Sequence, residues 1–577
     1  MPPTRSHKAQ TLIERLPAKI NRQAMLSLEA CVHCGLCTDQ CHYVLANPGD
    51  PTYAPSYKAD KLRKLFKAHF DWTGKIFPWW VGAKSLYTDE ELEEFKDVVF
   101  GKCTNCRRCS LNCPMGVDMA SFNRIARGLL VHVGVMPEGV AVVAKDQWEI
   151  GNQMGVLPED YRETLEWMEE ELREEYNDPG IRIPVDKVDA DVVYAINPRE
   201  AKYDPRTIGE AAAIFHFAGE NWTMASQGWD MTNFGLFNGD DDLGGAVVSR
   251  LYDSVASLHG KKLVVSECGH GYRSTRCEGP NWAKRDVPFE IESAVITMLR
   301  YIKQGLIKVD KSRNSELVTY HDSCNNARSC GMTEEPRELL NLVCTDFREM
   351  YPNRAENFCC TGGGGAMSMS EYTPRRLKSA KIKADQLRAT GAKIVVTSCH
   401  NCVDGLYDLI RFYKLDMQVK LLVNLVSSAL VAPLPQLRRK LLEGFRILVL
   451  DDEPDVRVYL GKIFKEQGAE VVEAPDANQA MRVIRAQKPD LMTLDLVLPK
   501  KTGEKLYWEL KKDERFASIP IIVVSGYAHI ESPKIDFHGF IAEKNLPEPE
   551  GFIEKPVDVD KLVETVYSVL GATKVRD

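Results

Sequence analysis

The sequence lacks the segments that would send the chain into or across a membrane. Its first twenty residues contain no apolar stretch of the kind that forms the core of a secretory signal. The longest apolar run, Leu421 to Leu434, contains Asn424 and two serines and is too short to span a bilayer. We therefore expect a cytoplasmic protein, or one held on the inner face of the cytoplasmic membrane through a partner subunit.

Signatures of common ligands are also missing. No Gly-x-Gly-x-x-Gly follows a strand pattern, so the sequence does not indicate a bound flavin or nicotinamide. The glycines at 362–365 are followed by Ala366-Met367-Ser368 instead of Gly-Lys-Ser/Thr, so they do not match a phosphate-binding P-loop. The net charge of −8 gives no reason to expect nucleic acid as a partner.

The length of 577 residues exceeds what one hydrophobic core organises, so several domains are expected. Between 190 and 430 the short apolar runs DVVYAI, KLVVSE, LVTYHD and KIVVTS alternate with helical patterns, as in parallel α/β structure. The run KIVVTSCHNC echoes KLVVSECGHG, which predicts an internal repeat whose second copy has kept its cysteines. The acidic stretch YRETLEWMEEELREEYNDPG predicts a helix that stops at Pro179-Gly180.

Cysteine, in contrast, is abundant and unevenly distributed. Of the seventeen cysteines, eight lie in two short runs before residue 114, and seven more lie between 324 and 402. Secreted disulfide scaffolds are shorter and spread their cysteines through loops. The clustering here therefore indicates metal ligation in a reducing compartment.

Each N-terminal run has the spacing Cys-x-x-Cys-x-x-Cys-x-x-x-Cys, which is typical of proteins that hold two [4Fe–4S] clusters. In such proteins the fourth cysteine of one run ligates the cluster of the other run. The first predicted cluster is held by Cys31, Cys34, Cys37 and Cys113. The second predicted cluster is held by Cys103, Cys106, Cys109 and Cys41. Structural zinc is the alternative, and it is disfavoured because zinc ribbons use paired cysteines instead of triplets with a trailing cysteine.

The two runs are far apart in sequence. Sixty-one residues separate Cys41 from Cys103, with helical patterns and aromatic residues such as Trp72, Trp79 and Trp80. A compact bacterial ferredoxin has no such insertion. The region resembles the α-helical ferredoxin of succinate dehydrogenase iron–sulfur subunits and of heterodisulfide reductases.

A third group consists of Cys324, the adjacent pair Cys359-Cys360, Cys399 and Cys402. Neighbouring side chains diverge, so an adjacent pair suits a larger, irregular cluster better than a single tetrahedral ion. The four glycines after the pair allow the main chain to approach such a cluster closely. The layout resembles the cysteine-rich CCG domain of heterodisulfide reductase B and D subunits.

Residues 1–430 as a whole are similar to the D-subunit-like catalytic protein of sulfate-reducer membrane complexes. The resemblance implies that the five cysteines hold one non-cubane [4Fe–4S] cluster, at which a disulfide or trisulfide is reduced. Cys268 lies where the first repeat would place its ligands, and it is either an extra ligand or redox thiol or a leftover buried thiol. His270 is either a proton donor or a packed histidine. His321 and His400 are either hydrogen-bond donors to the cluster or packing residues. Structural roles are expected for Cys277, Cys330 and Cys344.

From residue 445 onward the motifs resemble those of a response-regulator receiver. Polar residues follow successive apolar strands, at the edge where open α/β sheets bind ligands. The resemblance implies that Asp495 accepts a phosphoryl group and binds Mg²⁺ together with Asp451 and Asp452. The carbonyl of Val497 is an expected further Mg²⁺ ligand. A solvated acidic turn is the alternative, and four motifs in the right order disfavour it.

The same resemblance assigns the switch of the receiver. Lys555 is expected to pair with the phosphoryl group and Ser525 to hydrogen-bond it, and Ser525 and Phe552 are expected to move on phosphorylation. The segment AHIESPKIDFHGFIAEKNLPEPEG, between Ser525 and Lys555, is long and rich in proline. We expect it to replace the usual fourth helix of a receiver.

The predicted fold class is multidomain, with an α-helical ferredoxin, an α/β CCG domain with a degenerate internal repeat, and an α/β flavodoxin-like receiver. The expected boundaries are 1–150 for the ferredoxin, 151–188 for an acidic helical linker, 189–432 for the CCG domain with repeats at 189–300 and 315–430, 433–444 for a second linker, and 445–577 for the receiver.

The leading interpretation is an iron–sulfur oxidoreductase subunit that passes electrons through two cubane clusters to a non-cubane cluster, where a sulfur substrate reacts, under control of a phosphorylated receiver. A redox-sensing signalling protein and an electron conduit without its own substrate are the alternatives. The expected partners are a membrane cytochrome b-type or soluble electron carrier, a small sulfur-carrier protein or thiol substrate, and a histidine kinase, but no nucleic acid.

Overall fold

The structure is a computed structural model that describes residues 5–431, 442, 444–499, 501–526, 537–555, 557 and 559–574. The chain divides into two units, Met1–Pro433 and Leu434–Asp577. The linker expected at 433–444 lies almost entirely outside the described residues. Within the described residues, no helix combines the length and the apolarity that crossing a bilayer would require.

The first part of the first unit is helical, as the spacing of its apolar residues requires. Its helices are α1 His7–Lys19, α2 Arg22–Ala30, α3 Leu36–Asp39, α4 His42–Ala46, α5 Pro55–Phe70, α6 Trp72–Ile76, α7 Pro78–Val81, α8 Asp89–Lys96, α9 Arg108–Leu111, α10 Met119–His132 and α11 Glu138–Glu149. Residues near the N-terminus of several helices determine where the helix begins. Helix α8, for example, begins after a capping box in which Thr88 and Glu91 accept each other's backbone N–H groups. The expected helical insertion between Cys41 and Cys103 is therefore present.

The second part of the first unit is α/β. Its helices are α12 Pro158–Tyr176, α13 Pro198–Tyr203, α14 Arg206–Ala218, α15 Phe234–Asn238, α16 Asp241–Ser257, α17 Gly269–Tyr272, α18 Gly279–Ala283, α19 Ala294–Lys303, α20 Glu335–Val343, α21 Thr373–Ser379, α22 Lys381–Thr390, α23 His400–Phe412 and α24 Leu422–Ala429. Wide helical turns lie at Asp97–Gly101, Arg273–Glu278 and Asn325–Ser329.

Two parallel sheets confirm the predicted strands. The first has the order β2-β1-β3-β4, with β1 Val192–Ala195, β2 Trp222–Met224, β3 Lys262–Val265 and β4 Glu290–Ser293. The second has the order β6-β7-β8, with β6 Val318–His321, β7 Ile394–Thr397 and β8 Gln418–Leu421. A short antiparallel pair joins β5 Lys308–Val309 to β9 Leu430–Val431. The buried strands are almost entirely apolar, as in sheets covered by helices on both faces.

The two sheets are copies of one arrangement, which confirms the predicted internal repeat. Strand β1 pairs with β3 as β6 pairs with β7, and both β3 and β7 lead into a helix that begins just after a cysteine. The place of β2 in the second copy is taken by a single parallel bridge between Val318 and Phe347.

The acidic stretch forms helix α12, and the prediction that it is a linker is wrong. The buried face of α12 carries Tyr161, Leu165, Met168 and Leu172. These side chains belong to the same hydrophobic core as the strands of the first sheet. The charged residues form the opposite face of the helix, so the high acidic content concealed a regular amphipathic pattern.

The second unit is a doubly wound sheet in the order β11-β10-β12-β13-β14. Its strands are β10 Arg446–Leu450, β11 Glu470–Ala474, β12 Leu491–Leu494, β13 Ile521–Ser525 and β14 Gly551–Glu554, and its helices are α25 Pro454–Glu466, α26 Ala477–Ala486, α27 Gly503–Lys512, α28 Phe537–Lys544 and α29 Val559–Lys574. All the pairings are parallel. The prediction that the segment before β14 replaces a helix is wrong for its described part, because α28 lies there, with Phe537 and Ile541 buried in the core. Residues 527–536 of that segment lie outside the described residues.

Candidate iron–sulfur and phosphorylation sites

The thiols are not engaged in disulfides. All seventeen cysteines lie in the described residues, and each is a free thiol. The residues proposed as cluster ligands are buried or half-buried, apart from Cys34, which is exposed.

The first N-terminal run wraps around a turn between α2 and α3. His33 and Gly35 have left-handed backbone conformations, with φ of 54° and 83°, and they reverse the chain between Cys31 and Cys37. Burial raises the pKa of the Cys37 thiol, and the nearby thiols of Cys31 and Cys113 raise it further. The structure therefore brings Cys113, from the other run, next to the first run.

The second run repeats this turn. Asn105 and Arg107 stand at the same two positions relative to the first cysteine, and their φ angles are 52° and 65°. Burial raises the pKa of Cys109, and the thiols of Cys106, Cys41 and Cys103 add to this effect. Cys41 thus lies among the cysteines of the second run. The two runs exchange their trailing cysteines, as a pair of cross-ligated clusters would require.

The third cysteine group lies at the carboxyl edge of the second sheet. Cys324 follows β6 at the start of a wide helical turn, and Cys399 and Cys402 flank the start of α23, just after β7. The pair Cys359-Cys360 lies in a buried loop, and the Sγ atoms of Cys360 and Cys402 are 3.2 Å apart. Parallel neighbouring strands end at the same edge, so β6 and β7 place ligands from distant parts of the sequence side by side.

The glycine run after this pair packs against other backbone. A Cβ atom on Gly362 would lie 2.0 Å from the carbonyl oxygen of Asn401, and one on Gly364 would lie 2.4 Å from that of Thr104. Gly364 also has a left-handed φ of 65°. The run is therefore glycine because it brings the cysteine loop against α23 on one side and against the second N-terminal run on the other.

This packing joins the second run to the third cysteine group. The thiols of Cys106 and Cys359 interact directly, and Thr104 Oγ1 lies 3.3 Å from Cys359 Sγ. Sequence analysis could not indicate which run would be the nearer one, because spacing within a run carries no information about contacts between domains.

A buried arginine also joins the second run to the third cysteine group. Arg127, in α10, is fully buried and donates hydrogen bonds to four backbone carbonyls. The acceptors are Val99, Phe237, Gly364 and Cys103, at 2.6–2.9 Å. One side chain therefore links a ligand of the second run, the glycine run and α15, and sequence analysis did not identify it.

Cys268 and His270 also border the third group. Cys268 is buried at the start of α17, its thiol interacts with that of Cys399, and its Sγ lies 3.1 Å from His270 Nδ1. Burial raises the pKa of Cys268 well above its usual value. Burial also lowers the pKa of His270 to about 4, so this ring is neutral near pH 7.

His321 and His400 have different surroundings. A ring nitrogen of His321 lies within 4.8 Å of the Sγ atoms of Cys360 and Cys402, and burial lowers its pKa well below 6.5. His400 instead forms an ion pair with the buried carboxylate of Glu200, with 3.1 Å between Nε2 and Oε1. That carboxylate raises the pKa of His400 against the opposing effect of burial.

His321 is the first of a row of hydrogen-bonded polar side chains that sequence analysis did not identify. Asn357 Nδ2 is 3.0 Å from His321 Nδ1 and donates to the carbonyl of Asp322 at 2.9 Å. Asn357 Oδ1 accepts a hydrogen bond from Lys383, a fully buried residue of α22. Burial lowers the pKa of Lys383 to about 7. No sequence motif identifies Lys383, because its burial depends on the packing of α22 against the cysteine loop.

In the second unit, the predicted polar residues meet at the carboxyl edge of the sheet. Oxygen atoms of Asp451, Asp452 and Asp495 lie within 4.8 Å of one another, a grouping that suits a hard cation. Lys555 Nζ lies 2.7 Å from Asp495 and 2.8 Å from Asp451. Ser525 Oγ donates to Asp495 Oδ1 at 3.0 Å.

Two further predicted receiver residues lie close by. The backbone N–H of Val497 donates to Asp495 Oδ1 at 3.0 Å, which orients the carboxylate. Phe552 is half-buried, and its ring makes an edge-to-face contact with Phe537 of α28 at 5.8 Å. Burial raises the pKa of Asp451, against the opposing effect of Lys555.

Comparison with known proteins agrees with this division. A 4Fe-4S dicluster domain model matches residues 27–117, a cysteine-rich domain model matches 318–406, and a response regulator receiver domain model matches 447–567. The Hdr-like menaquinol oxidoreductase iron-sulfur subunit 2 of Archaeoglobus fulgidus is 27% identical over 71% of this chain and 81% of its own length. The D subunit of the dihydromethanophenazine:CoB–CoM heterodisulfide reductase of Methanosarcina mazei is 27% identical over 70% of this chain and 95% of its own. Protein Rrf1 of Nitratidesulfovibrio vulgaris is 27% identical over 22% of this chain and 82% of its own.

The chain is therefore an iron–sulfur protein of the oxidoreductase class with a receiver domain at its C-terminal end. Its iron–sulfur part is a homologue of the D subunit of heterodisulfide reductase and of Hdr-like oxidoreductase subunits, and the expected fusion with a receiver is confirmed.

Proposed function

We propose that this chain is the catalytic iron–sulfur subunit of a redox complex in which a disulfide- or trisulfide-type sulfur substrate is reduced or formed. The observation that carries the proposal is the direct contact between Cys106, of the second ferredoxin-like run, and Cys359, of the cysteine-rich domain. Such a contact brings the two groups close together, which favours electron transfer from one domain to the other.

The positions of the cysteines suit the iron–sulfur clusters that the resemblance to the family implies. Cys31, Cys34, Cys37 and Cys113 would hold one cubane cluster, and Cys103, Cys106, Cys109 and Cys41 would hold the other. Cys324, Cys359, Cys360, Cys399 and Cys402 would hold a non-cubane [4Fe–4S] cluster. Bound there, the clusters would supply single electrons, so that a two-electron sulfur reaction can proceed in two deliveries. The adjacent thiols and the close backbone packing that glycine allows at 362 and 364 both suit a large cluster.

Buried polar groups would stabilise the released thiolates by donating hydrogen bonds. The amide of Asn357 is oriented by the Asp322 carbonyl, which can only accept, so Nδ2 faces that carbonyl and Oδ1 faces Lys383. Nδ2 of Asn357 therefore donates to Nδ1 of His321, and the neutral ring of His321 carries its proton on Nε2. His321 is thus held in the tautomer whose Nε2–H can donate a hydrogen bond, and a nitrogen of its ring lies within 4.8 Å of two cluster thiols.

Cys268 and His270 approach the same site from the first repeat. Cys268 would be a redox thiol or an additional ligand beside Cys399, with His270 hydrogen-bonded to it at 3.1 Å. His270 Nε2 has no hydrogen-bond partner among the described residues, although it is buried. An unpaired buried nitrogen of this kind is suited to form a hydrogen bond with a substrate sulfur.

The partners follow from the relatives. Because two of them are named for menaquinol and for dihydromethanophenazine, the electron donor or acceptor here is proposed to be a membrane cytochrome b-type subunit, with a soluble carrier as the alternative. The substrate is proposed to be a small thiol or a sulfur-carrier protein. The chain would then lie in the cytoplasm, against the inner face of the membrane.

The receiver would tune this activity or its docking. Asp495 would accept a phosphoryl group from a histidine kinase, with Mg²⁺ held by Asp451, Asp452 and Asp495. Lys555 already spans Asp451 and Asp495, so it is placed to pair with the added charge of about −1.5 to −2. Ser525 and Phe552 would then move as the switch.

The proposal is tested with anaerobically purified full-length chain. Three clusters require about twelve iron atoms per chain. Electron paramagnetic resonance should show two interacting cubane signals on reduction and a separate signal in the oxidised chain that changes when a thiol is added. The variant Cys359→Ser should lose only the thiol-sensitive signal, whereas the buried Cys344→Ser, outside the three groups, should keep all of them. About eight iron atoms per chain without a thiol-sensitive signal would instead support the electron conduit.

A further inference from the structure

A pair of cysteines lies close together outside the three cysteine groups. The Sγ atoms of Cys277 and Cys330 are 3.6 Å apart, although 53 positions separate them in the sequence. Cys277 is exposed and Cys330 is half-buried. The sequence predicts structural roles for both cysteines, but a purely structural thiol is normally buried and alone, as Cys344 is. Cys277, in contrast, is neither buried nor alone.

The two thiols are held by a pair of wide helical turns. Cys277 lies in the turn Arg273–Glu278, and Cys330 directly follows the turn Asn325–Ser329. The turns are joined by a hydrogen bond of 3.3 Å from Arg273 Nη1 to Asn325 Oδ1. The thiol pair is therefore positioned by at least one contact other than its own.

The surroundings favour a reactive thiolate at Cys277. The adjacent Cys330 thiol, followed by Arg276, lowers the pKa of Cys277 to about 7, against the opposing effect of partial burial. The pKa of Cys330 is raised in turn, chiefly by Cys277. One exposed, easily ionised thiol beside a protonated, less exposed partner is the usual arrangement of an attacking and a resolving cysteine.

A cavity of about 220 Å³ borders the first turn, although neither cysteine lines it. Arg273 and Glu278, which lie on either side of Cys277 in the sequence, and Asn325 are among its lining residues. Its lining is mainly polar. A small disulfide would reach the pair through the exposed thiol of Cys277.

We propose that Cys277 and Cys330 form a dithiol site that exchanges with low-molecular-weight disulfides, independently of the iron–sulfur clusters. The Cys277 thiolate attacks one sulfur of a disulfide RSSR′, which gives a mixed disulfide with R and releases R′S⁻. The Cys330 thiol then gives up its proton and attacks the Cys277 sulfur, which releases RS⁻. Two protein thiols and RSSR′ thus become one protein disulfide, RSH and R′SH, with no other oxidant. A reducing dithiol reverses the sequence.

The chain provides a clean assay for this exchange. Trypsin releases Cys277 in the peptide Cys277–Lys284 and Cys330 in the peptide Ser329–Arg337, and neither contains a proposed cluster ligand. Anaerobically purified full-length chain would be equilibrated with mixtures of oxidised and reduced glutathione, quenched in acid, alkylated and analysed by mass spectrometry. We expect the two peptides to become linked as the mixture is made more oxidising. Cys344 should remain a free thiol and should therefore still be alkylated after the quench.

Two variants separate attack from resolution. In Cys330→Ser, glutathione should remain on Cys277 as a stable mixed disulfide, whereas in Cys277→Ser, Cys330 should stay free of glutathione. In the natural chain at pH 7, iodoacetamide should modify Cys277 about ten times faster than a thiol of ordinary pKa. The absence of linked peptides at every glutathione ratio, with glutathione accumulating on Cys277 as it does in Cys330→Ser, would overturn the proposal. Unchanged cluster signals during the titration would show that the exchange is distinct from the reaction proposed at the clusters.

Discussion

Replacing Arg127 with methionine tests how the ferredoxin-like and cysteine-rich parts of the chain are held together. The guanidinium group donates to four backbone carbonyls, two of which, Cys103 and Gly364, belong to different cysteine groups. Methionine keeps much of the aliphatic volume of the side chain, so the change removes hydrogen bonds and charge while leaving a small cavity. The expected loss therefore comes from unsatisfied carbonyls.

The magnitude follows from the number of acceptors. A hydrogen bond to a charged group contributes about 1.5–3 kcal/mol, and a buried acceptor left without a partner costs about 1–3 kcal/mol. Removing the guanidinium also relieves a real cost, since burial lowers the pKa of Arg127 to about 10. The net destabilisation should therefore fall near the value for breaking a buried ionic contact, about 3–5 kcal/mol, and below the sum of four bonds.

The same helix contains a matched control. Arg124 lies one turn before Arg127 and pairs with Asp241, but this ion pair is partly exposed. Arg124→Met should therefore cost about 0–1 kcal/mol. Because a chain with several domains and clusters does not unfold in two states, the assay compares midpoints instead of absolute free energies. Urea titrations under anaerobic conditions would follow tryptophan fluorescence and cluster absorbance together.

Arg127→Met should lower the midpoint clearly and should also weaken the magnetic interaction between the second cubane cluster and the third cluster. Arg124→Met should do neither. If the two variants unfold at the same urea concentration, with identical resonance spectra, Arg127 is not the connection between the domains, and the reasoning from its four hydrogen bonds is wrong.

Three further predictions concern other parts of the chain. Gly364→Ala should abolish the thiol-sensitive signal and keep the cubane signals, because its Cβ would lie 2.4 Å from a carbonyl oxygen; Gly363→Ala, with no atom closer than 4.0 Å, should keep both. Asp495→Asn should abolish phosphoryl uptake from acetyl phosphate, and uptake that persists would refute the acceptor. Burial raises the pKa of Glu210 to about 7, so the folded chain binds the extra proton and its stability should fall as the pH rises from about 4.5 to 7, by at most about 3 kcal/mol. Glu210→Gln, which can still accept from Asn424, should remove this slope and raise the denaturation midpoint at pH 8.

Much of the fold could be predicted because its signals are local. The cysteine runs, the four apolar strands and the receiver motifs each occupy a few consecutive residues, and their periodicity reflects burial directly. Helix α12 shows the limit of this approach. Its helical state was evident from its sequence, but its place in the core depended on four apolar side chains hidden among many acids.

The parts of the site that escaped prediction depend on contacts between distant segments. Lys383 and Asn357 carry no motif, and their significance arises only when α22 packs against the cysteine loop. The same holds for the contact between Cys106 and Cys359, which lie in different domains. Spacing identified which residues are candidates to bind metal in each group, but only the three-dimensional arrangement indicates that the run from Cys103 lies nearest the third group.

The internal repeat bears on whether the cysteine-rich region holds one irregular cluster or two. In the aligned copies, Cys268 corresponds to Cys399 and Gly271 corresponds to Cys402. Cys268, in the degenerate first repeat, is still a cysteine, and its thiol interacts with that of Cys399 in the second repeat. The second position has no room for a ligand, because a Cβ on Gly271 would lie 2.7 Å from Met231 Sδ and 3.1 Å from the Met231 carbonyl. Met231 therefore fills the space that a ligand side chain at position 271 would need. We accordingly predict a single irregular cluster in the second repeat, with the Cys268 thiol of the first repeat beside it.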